Sequence, residues 1–116
     1  MTSFQAEPPT ITIRGKETKL RPFGRGAARI LAQLSNITDE NEKSGAFVVA
    51  YAAIYSLPPD KAFSTVEDEA AFNLAVGEAD MELSAEDLQA VAEYIAGINQ
   101  RTEAASVTVD SSPGKP

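Results

Sequence analysis

Acidic side chains are the residues of this chain that could do chemistry, because it has seventeen of them and neither histidine nor cysteine. Residues 67–69 (Glu-Asp-Glu) are contiguous, and neighbours in a helical run point in different directions. Glu78, Asp80 and Glu82 alternate along a predicted loop but lack the central glycine and distant glutamate of a calcium loop. Without histidine or cysteine, an activated nucleophile has no standard base. The pattern predicts no catalytic, metal or cofactor site, and we expect a protein that is not an enzyme.

The basic residues are concentrated near the N-terminus. Residues 1–29 carry six basic and two acidic side chains, a net charge of +4, whereas residues 30–116 carry four basic and fifteen acidic, a net charge of −11. A total of −7 argues against nucleic-acid binding, which requires many cations. The six cations are candidate partner-binding residues through electrostatic docking: Arg14, Lys16, Lys19, Arg21, Arg25 and Arg29. An acidic partner, the chain's own acidic helices, or protection of a hairpin edge could each explain them.

Two glycines, Gly24 and Gly26, lie within this basic stretch and could in principle cradle a phosphate. A phosphate-binding loop would also need the Lys-Ser/Thr pair and a preceding strand–helix–strand unit, and the sequence has neither. The pair therefore predicts a flexible junction between a strand and a helix.

A hairpin positions the basic residues. Residues 10–13 alternate Thr and Ile and favour a strand, and residues 17–20 form its return. The turn falls at residues 14–16, where Gly15 can take a positive φ. Pro22 ends the sheet because it cannot donate a ladder hydrogen bond.

Helices are predicted for the rest of the chain. The first has apolar residues at helical spacing from Ala27 to Leu34. The second has residues 38–42 (Thr-Asp-Glu-Asn-Glu) as an acidic N-terminal signature, is apolar on all sides and ends at Pro58, so it should be the central buried element. A third is predicted from about Thr65 to Val76, with Gly77 as its stop.

The last predicted helix begins after Ser84 and ends near Arg101. We therefore predict an α+β fold in which an N-terminal β-hairpin packs on a bundle of about four helices. The predicted organisation is a disordered arm over 1–9, one domain over 10–102 and a disordered tail over 103–116. The longest apolar run is about half of a membrane span, and no signal pattern is present, so a cytoplasmic protein is expected.

Three aromatic residues of the second helix, Phe47, Tyr51 and Tyr55, are spaced four apart and share one face. Core packing is the simpler interpretation of this spacing. If one edge of the face is exposed, Tyr51 and Tyr55 become candidates for apolar contact with a partner protein.

The N-terminal part resembles the tail assembly chaperones of long-tailed bacteriophages. Residues 11–23 (Ile-Thr-Ile-Arg-Gly-Lys-Glu-Thr-Lys-Leu-Arg-Pro-Phe) and residues 27–31 (Ala-Ala-Arg-Ile-Leu) carry the resemblance. In that family a short hairpin of this form precedes a helix with an apolar stripe. Beyond residue 34 the chain is similar only in length, acidity and order of elements.

The resemblance implies a non-enzymatic role in the host cytoplasm. Such chaperones bind the tape measure protein, keep it soluble until the tail tube polymerises around it, are thought to recruit tail tube subunits, and are absent from the mature virion. Two alternatives remain open: a small structural head–tail connector or completion protein, and a regulatory acidic protein-binding module. Whether the chain forms a homo-oligomer is also open.

Overall fold

The N-terminal hairpin is present as predicted. The structure is a computed structural model that describes residues 7–111, with side chains described for residues 7–98. Strand β1 (Thr10–Ile13) pairs antiparallel with β2 (Lys16–Lys19), which begins one residue earlier than predicted. The two turn residues, Arg14 and Gly15, have φ angles of 53° and 73°. Positive φ at both central residues is the geometry of a two-residue hairpin turn that matches strand twist.

The outer edge of β1 is covered by two carboxylates from the helical body. The Thr12 N–H donates to Asp87 Oδ2 at 3.2 Å, and the Arg14 N–H donates to Glu82 Oε1 at 2.8 Å. An uncovered strand edge could pair with another chain. These contacts attach the hairpin to the body and occupy one donor of that edge, at Thr12, and one donor of the turn, at Arg14.

Five helices follow the hairpin, which confirms the predicted α+β architecture. They are α1 (Ala27–Gln33), α2 (Glu40–Tyr55), α3 (Pro59–Glu67), α4 (Glu69–Glu82) and α5 (Ala85–Ser111). Helix α2 contacts each of the other four helices. Its N-terminus is capped by Asp39, whose side chain accepts from the Glu42 N–H at 2.9 Å. Its residues from Ala50 to Tyr55 are all buried, so α2 is the central element that its apolar sequence predicts.

The predicted third helix is wrong in its bounds, because Asp68 separates two helices. Asp68 has extended backbone angles, and its side chain accepts from the N–H groups of Ala70 at 2.9 Å and Ala71 at 3.2 Å. Aspartate is favoured at a helix N-cap, where its side chain satisfies unpaired N–H groups. Helix α3 begins at Pro59, since proline suits the first turn of a helix.

Helix α4 continues through Gly77, which was predicted to stop it, and ends at Glu82. A glycine inside a helix costs only about 1 kcal/mol, an amount that tertiary packing can offset. Glu78, Asp80 and Glu82 therefore lie on a helix and not on the predicted loop. Residues 67–69 likewise do not share one helix.

The last helix starts as predicted, with Ser84 Oγ accepting from the Asp87 N–H at 3.0 Å. It extends to Ser111, past the predicted end near Arg101, because no glycine or proline interrupts positions 98–112. Residues 103–111 of the predicted disordered tail belong to α5. The disorder predicted for residues 1–9 and 112–116 stays a prediction, and residues 1–6 and 112–116 lie outside the described residues.

Candidate partner-binding surfaces

Two of the six candidate cations, Arg14 and Arg21, bind the C-terminal end of α2. Arg14 Nη2 donates to the carbonyl oxygen of Ala53 at 3.2 Å. Arg21 donates from Nε to the Leu57 carbonyl at 3.2 Å and from Nη2 to the Ile54 carbonyl at 3.3 Å. Carbonyls at a helix C-terminus lack intrahelical partners and carry partial negative charge, so cations are favoured there. Both guanidinium groups therefore contribute to the fold of this chain.

Tyr51 and Tyr55 both contact Arg21 on the side of this residue that faces the core. The Arg21 guanidinium carbon lies 4.9 Å from the centroid of the Tyr55 ring, and Tyr51 Oη donates to the Arg21 carbonyl at 2.9 Å. The two rings stack with centroids 4.2 Å apart. Their exposed fractions are 0 % and 6 %, so both belong to the core and neither offers a contact surface to a partner. Burial raises the pKa of each phenol above its ordinary value.

Two further cations form ion pairs at the surface. Arg29 pairs with Glu67, and its guanidinium carbon lies 5.1 Å from the centroid of the Phe63 ring. Lys19 Nζ lies 2.6 Å from Glu7 Oε1, and the hydrogen bond from Lys19 lowers the pKa of the Glu7 carboxyl. Both pairs are exposed to solvent, which screens the attraction between their charges. They leave both cations accessible to a competing partner.

The remaining two cations, Lys16 and Arg25, have exposed side chains. Neither makes a side-chain hydrogen bond or ion pair with any residue that the structure describes. The six candidates thus have three kinds of environment. Two are bound to α2, two are paired at the surface and two point into solvent.

The glycine junction has a packing role. A Cβ built on Gly26 would lie 2.8 Å from Tyr55 Oη, whereas one on Gly24 would meet only the Pro22 carbonyl at 3.9 Å. Gly26 therefore lets the start of α1 approach the buried face of α2 closely. The geometry agrees with a junction between strand and helix.

A groove runs between α2 and α4. The α2–α4 groove has a volume of about 480 Å³. Its lining consists of Asn41, Glu42, Gly45, Ala46 and Val49 from α2, and Asn73, Val76, Gly77 and Asp80 from α4. A Cβ added at Gly45 or Gly77 would meet nothing within 4 Å, so both glycines leave open space above the helix backbones.

Two large apolar side chains of α4 are exposed outside the lining of the groove. Leu74 is 65 % exposed and Met81 is 88 % exposed. They lie three residues before and four residues after Gly77, which places all three on one face of α4. Sequence reasoning missed this face because it ended the helix at Gly77. The spacing of Leu74, Gly77 and Met81 becomes a signal once the helix is continued to Glu82.

A second groove lies between α1, α2 and α5, with a volume of about 420 Å³. Its apolar lining includes Phe23, Leu31, Phe47, Val48, Ala92 and Ile95. Glu40 and Lys43 both lie at this groove, so its charges are of mixed sign. Leu31, one of the apolar residues at helical spacing in α1, is 48 % exposed here.

The described residues show no arrangement for metal binding or for crossing a membrane. No group of three or more carboxylates among them could hold a metal ion, and none of their helices is long and apolar enough to span a bilayer. The chain matches no protein-family model, and no curated protein or solved structure shows significant similarity to it.

Proposed function

We propose that the protein is a phage tail assembly chaperone that binds the tape measure protein and keeps it soluble before the tail tube forms. Tail tube subunits are proposed as further partners, and the proposed place of action is the host cytoplasm. The resemblance of residues 11–23 and 27–31 to that family supports this proposal. The segment forms a hairpin joined to a helix, which is the arrangement that the resemblance implies.

The observation that carries the proposal is the set of large apolar side chains left on the surface. Leu31, Phe63, Leu74 and Met81 are 48 %, 55 %, 65 % and 88 % exposed. The core is otherwise well formed, since no buried polar side-chain atom in the described residues lacks a hydrogen-bond partner. Leu74 and Met81 share one face of α4, and large apolar side chains that share an exposed face are typical of protein-binding sites.

The charge of the chain suits this role. A long helical partner with exposed apolar stripes would aggregate unless those stripes were covered. A partner with a net charge of −7 can cover them and keep the complex dispersed through charge repulsion.

Co-expression with the tape measure protein of the same phage tests the proposal. We expect the tape measure protein to shift from the pellet to the supernatant, and to co-purify with the chaperone. An unrelated acidic helical protein of similar size is the control. If the tape measure protein stays equally insoluble with and without this chain, the proposal is wrong.

Mass spectrometry of purified phage particles separates a chaperone from the structural alternative. A chaperone should be missing from the particles, whereas a connector or completion protein should be present at a fixed copy number. Its presence in mature particles would contradict the proposed function even if co-expression succeeded.

A further inference from the structure

We propose that the α2–α4 groove is a docking site for one amphipathic helix whose apolar face is flanked by lysine or arginine. The inference deepens the proposed function and rests on it for the biological source of that helix. It assigns the partner to a groove on the acidic body and not to the basic hairpin.

The shape of the groove fits a helix. Its floor is made of small and half-buried apolar residues, Ala46, Val49 and Val76. The glycines on its two walls, Gly45 and Gly77, leave the backbones of α2 and α4 accessible. Packed helix axes lie about 8–10 Å apart, and the smallest separations need small side chains at the contact. A docked helix could therefore contact the floor and also cover Leu74 and Met81.

The charge of the groove selects the partner. Glu42 and Asp80 line it, and no basic residue does. Helix α4 contains four acidic residues and no basic one. A helix with acidic flanks would be repelled, whereas one with basic flanks would be steered in and held in register. Recognition would use the helix-in-groove mode, with apolar anchors at three- and four-residue spacing.

The test uses the full chain and a fluorescent peptide of about 18 residues, long enough for a helix of about 27 Å. One peptide carries leucine and alanine on one face with lysine flanks, and a second replaces each lysine with glutamate. Fluorescence anisotropy measures both affinities. We expect the lysine peptide to bind at least about tenfold more tightly, with a difference that shrinks at high salt.

Two double variants test the assignment of charge. Glu42→Lys with Asp80→Lys should weaken binding of the lysine peptide by about tenfold. Glu86→Lys with Glu93→Lys makes the same change in net charge on α5, outside the groove, and should change affinity less than about twofold. Equal effects of the two pairs would mean that net charge alone drives binding, and would overturn the assignment.

Filling the groove provides a test that does not depend on charge. Gly77→Leu should block the peptide, with a melting temperature equal to or above that of the wild type, because leucine favours the helix and space is available. Gly97→Leu is the matched control on α5, where an added Cβ also meets nothing within 4 Å. Unchanged peptide binding by Gly77→Leu would overturn the inference.

The remaining outcomes separate the inference from the proposed function. If wild type and Gly77→Leu solubilise the tape measure protein equally, the chaperone function stands and the groove assignment fails. If the lysine peptide binds the groove but the tape measure protein is not solubilised, the groove assignment stands and the chaperone function fails. Concentration-dependent dimers that Gly77→Leu abolishes would identify a second copy as the occupant and overturn the inference.

Discussion

Replacing Arg21 by methionine should destabilise the protein markedly, although the sequence places this residue among the N-terminal cations that were predicted to bind a partner. The change keeps a long aliphatic side chain and removes the guanidinium that contacts the Ile54 and Leu57 carbonyls and the Tyr55 ring. The loss would expose the end of α2, the helix around which the other four are packed.

The magnitude follows from these contacts. A hydrogen bond from a charged donor contributes about 1.5–3 kcal/mol, but N···O distances of 3.2 and 3.3 Å are at the long end of the range, so about 1 kcal/mol each is appropriate. The cation–π contact adds about 0.5–1 kcal/mol. We therefore expect a loss of about 2–3 kcal/mol. For a domain of this size, that corresponds to a fall in melting temperature of about 8–12 °C.

Thermal and urea unfolding followed by circular dichroism measure the effect. Arg21→Lys should give an intermediate value, because lysine keeps the charge but loses the planar fork. Arg25→Met is the matched control, since the Arg25 side chain is exposed, and should change stability by less than about 0.5 kcal/mol. If Arg21→Met melts within about 2 °C of the wild type, the structural role derived for this arginine is wrong.

Two further predictions concern the packing around Tyr55. Gly26→Ala places a methyl group 2.8 Å from Tyr55 Oη and should cost about 1–3 kcal/mol in urea unfolding, whereas Gly24→Ala should be nearly neutral; equal costs would contradict the close approach. Burial raises the pKa of Tyr51 and Tyr55 above 10, so the unfolded chain releases phenolic protons at a lower pH than the folded protein. Their contribution to stability is therefore complete well below pH 10 and is lost progressively as the pH rises above 10. Urea unfolding between pH 8 and 11 measures this loss, Tyr51→Phe should reduce it, and a flat profile would rule out the proposed cause.

Much of the fold could be predicted because local signals and packing agree. The alternation in residues 10–13, the glycine at position 15 and the all-round apolar character of α2 each indicate one structure only. The bounds predicted for the third helix were wrong because Asp68 fits equally well within an acidic helical run and at a helix N-cap. In the structure Pro59 starts α3, and Asp68 ends that helix and caps the next one.

The candidate surfaces were harder to predict because the same side chain can serve the fold or a partner. Arg14 and Arg21 look like free cations in the sequence, and only the three-dimensional structure brings the α2 carbonyls to them. The α2–α4 groove was not predicted, for a different reason. Its features are two glycines and two exposed apolar residues, which carry no pattern until α4 is known to continue through Gly77.

The attachment of the hairpin to the body has a consequence for synthesis on the ribosome. The hairpin is made first, yet its backbone N–H groups bind Glu82 and Asp87, which follow 68 and 75 positions later. During translation at about 5–20 residues per second, the outer edge of β1 must remain without these partners for several seconds. The two hydrogen bonds can form only after the first turn of α5 has left the exit tunnel, so the hairpin and the helices do not complete their contacts in the order in which they are made.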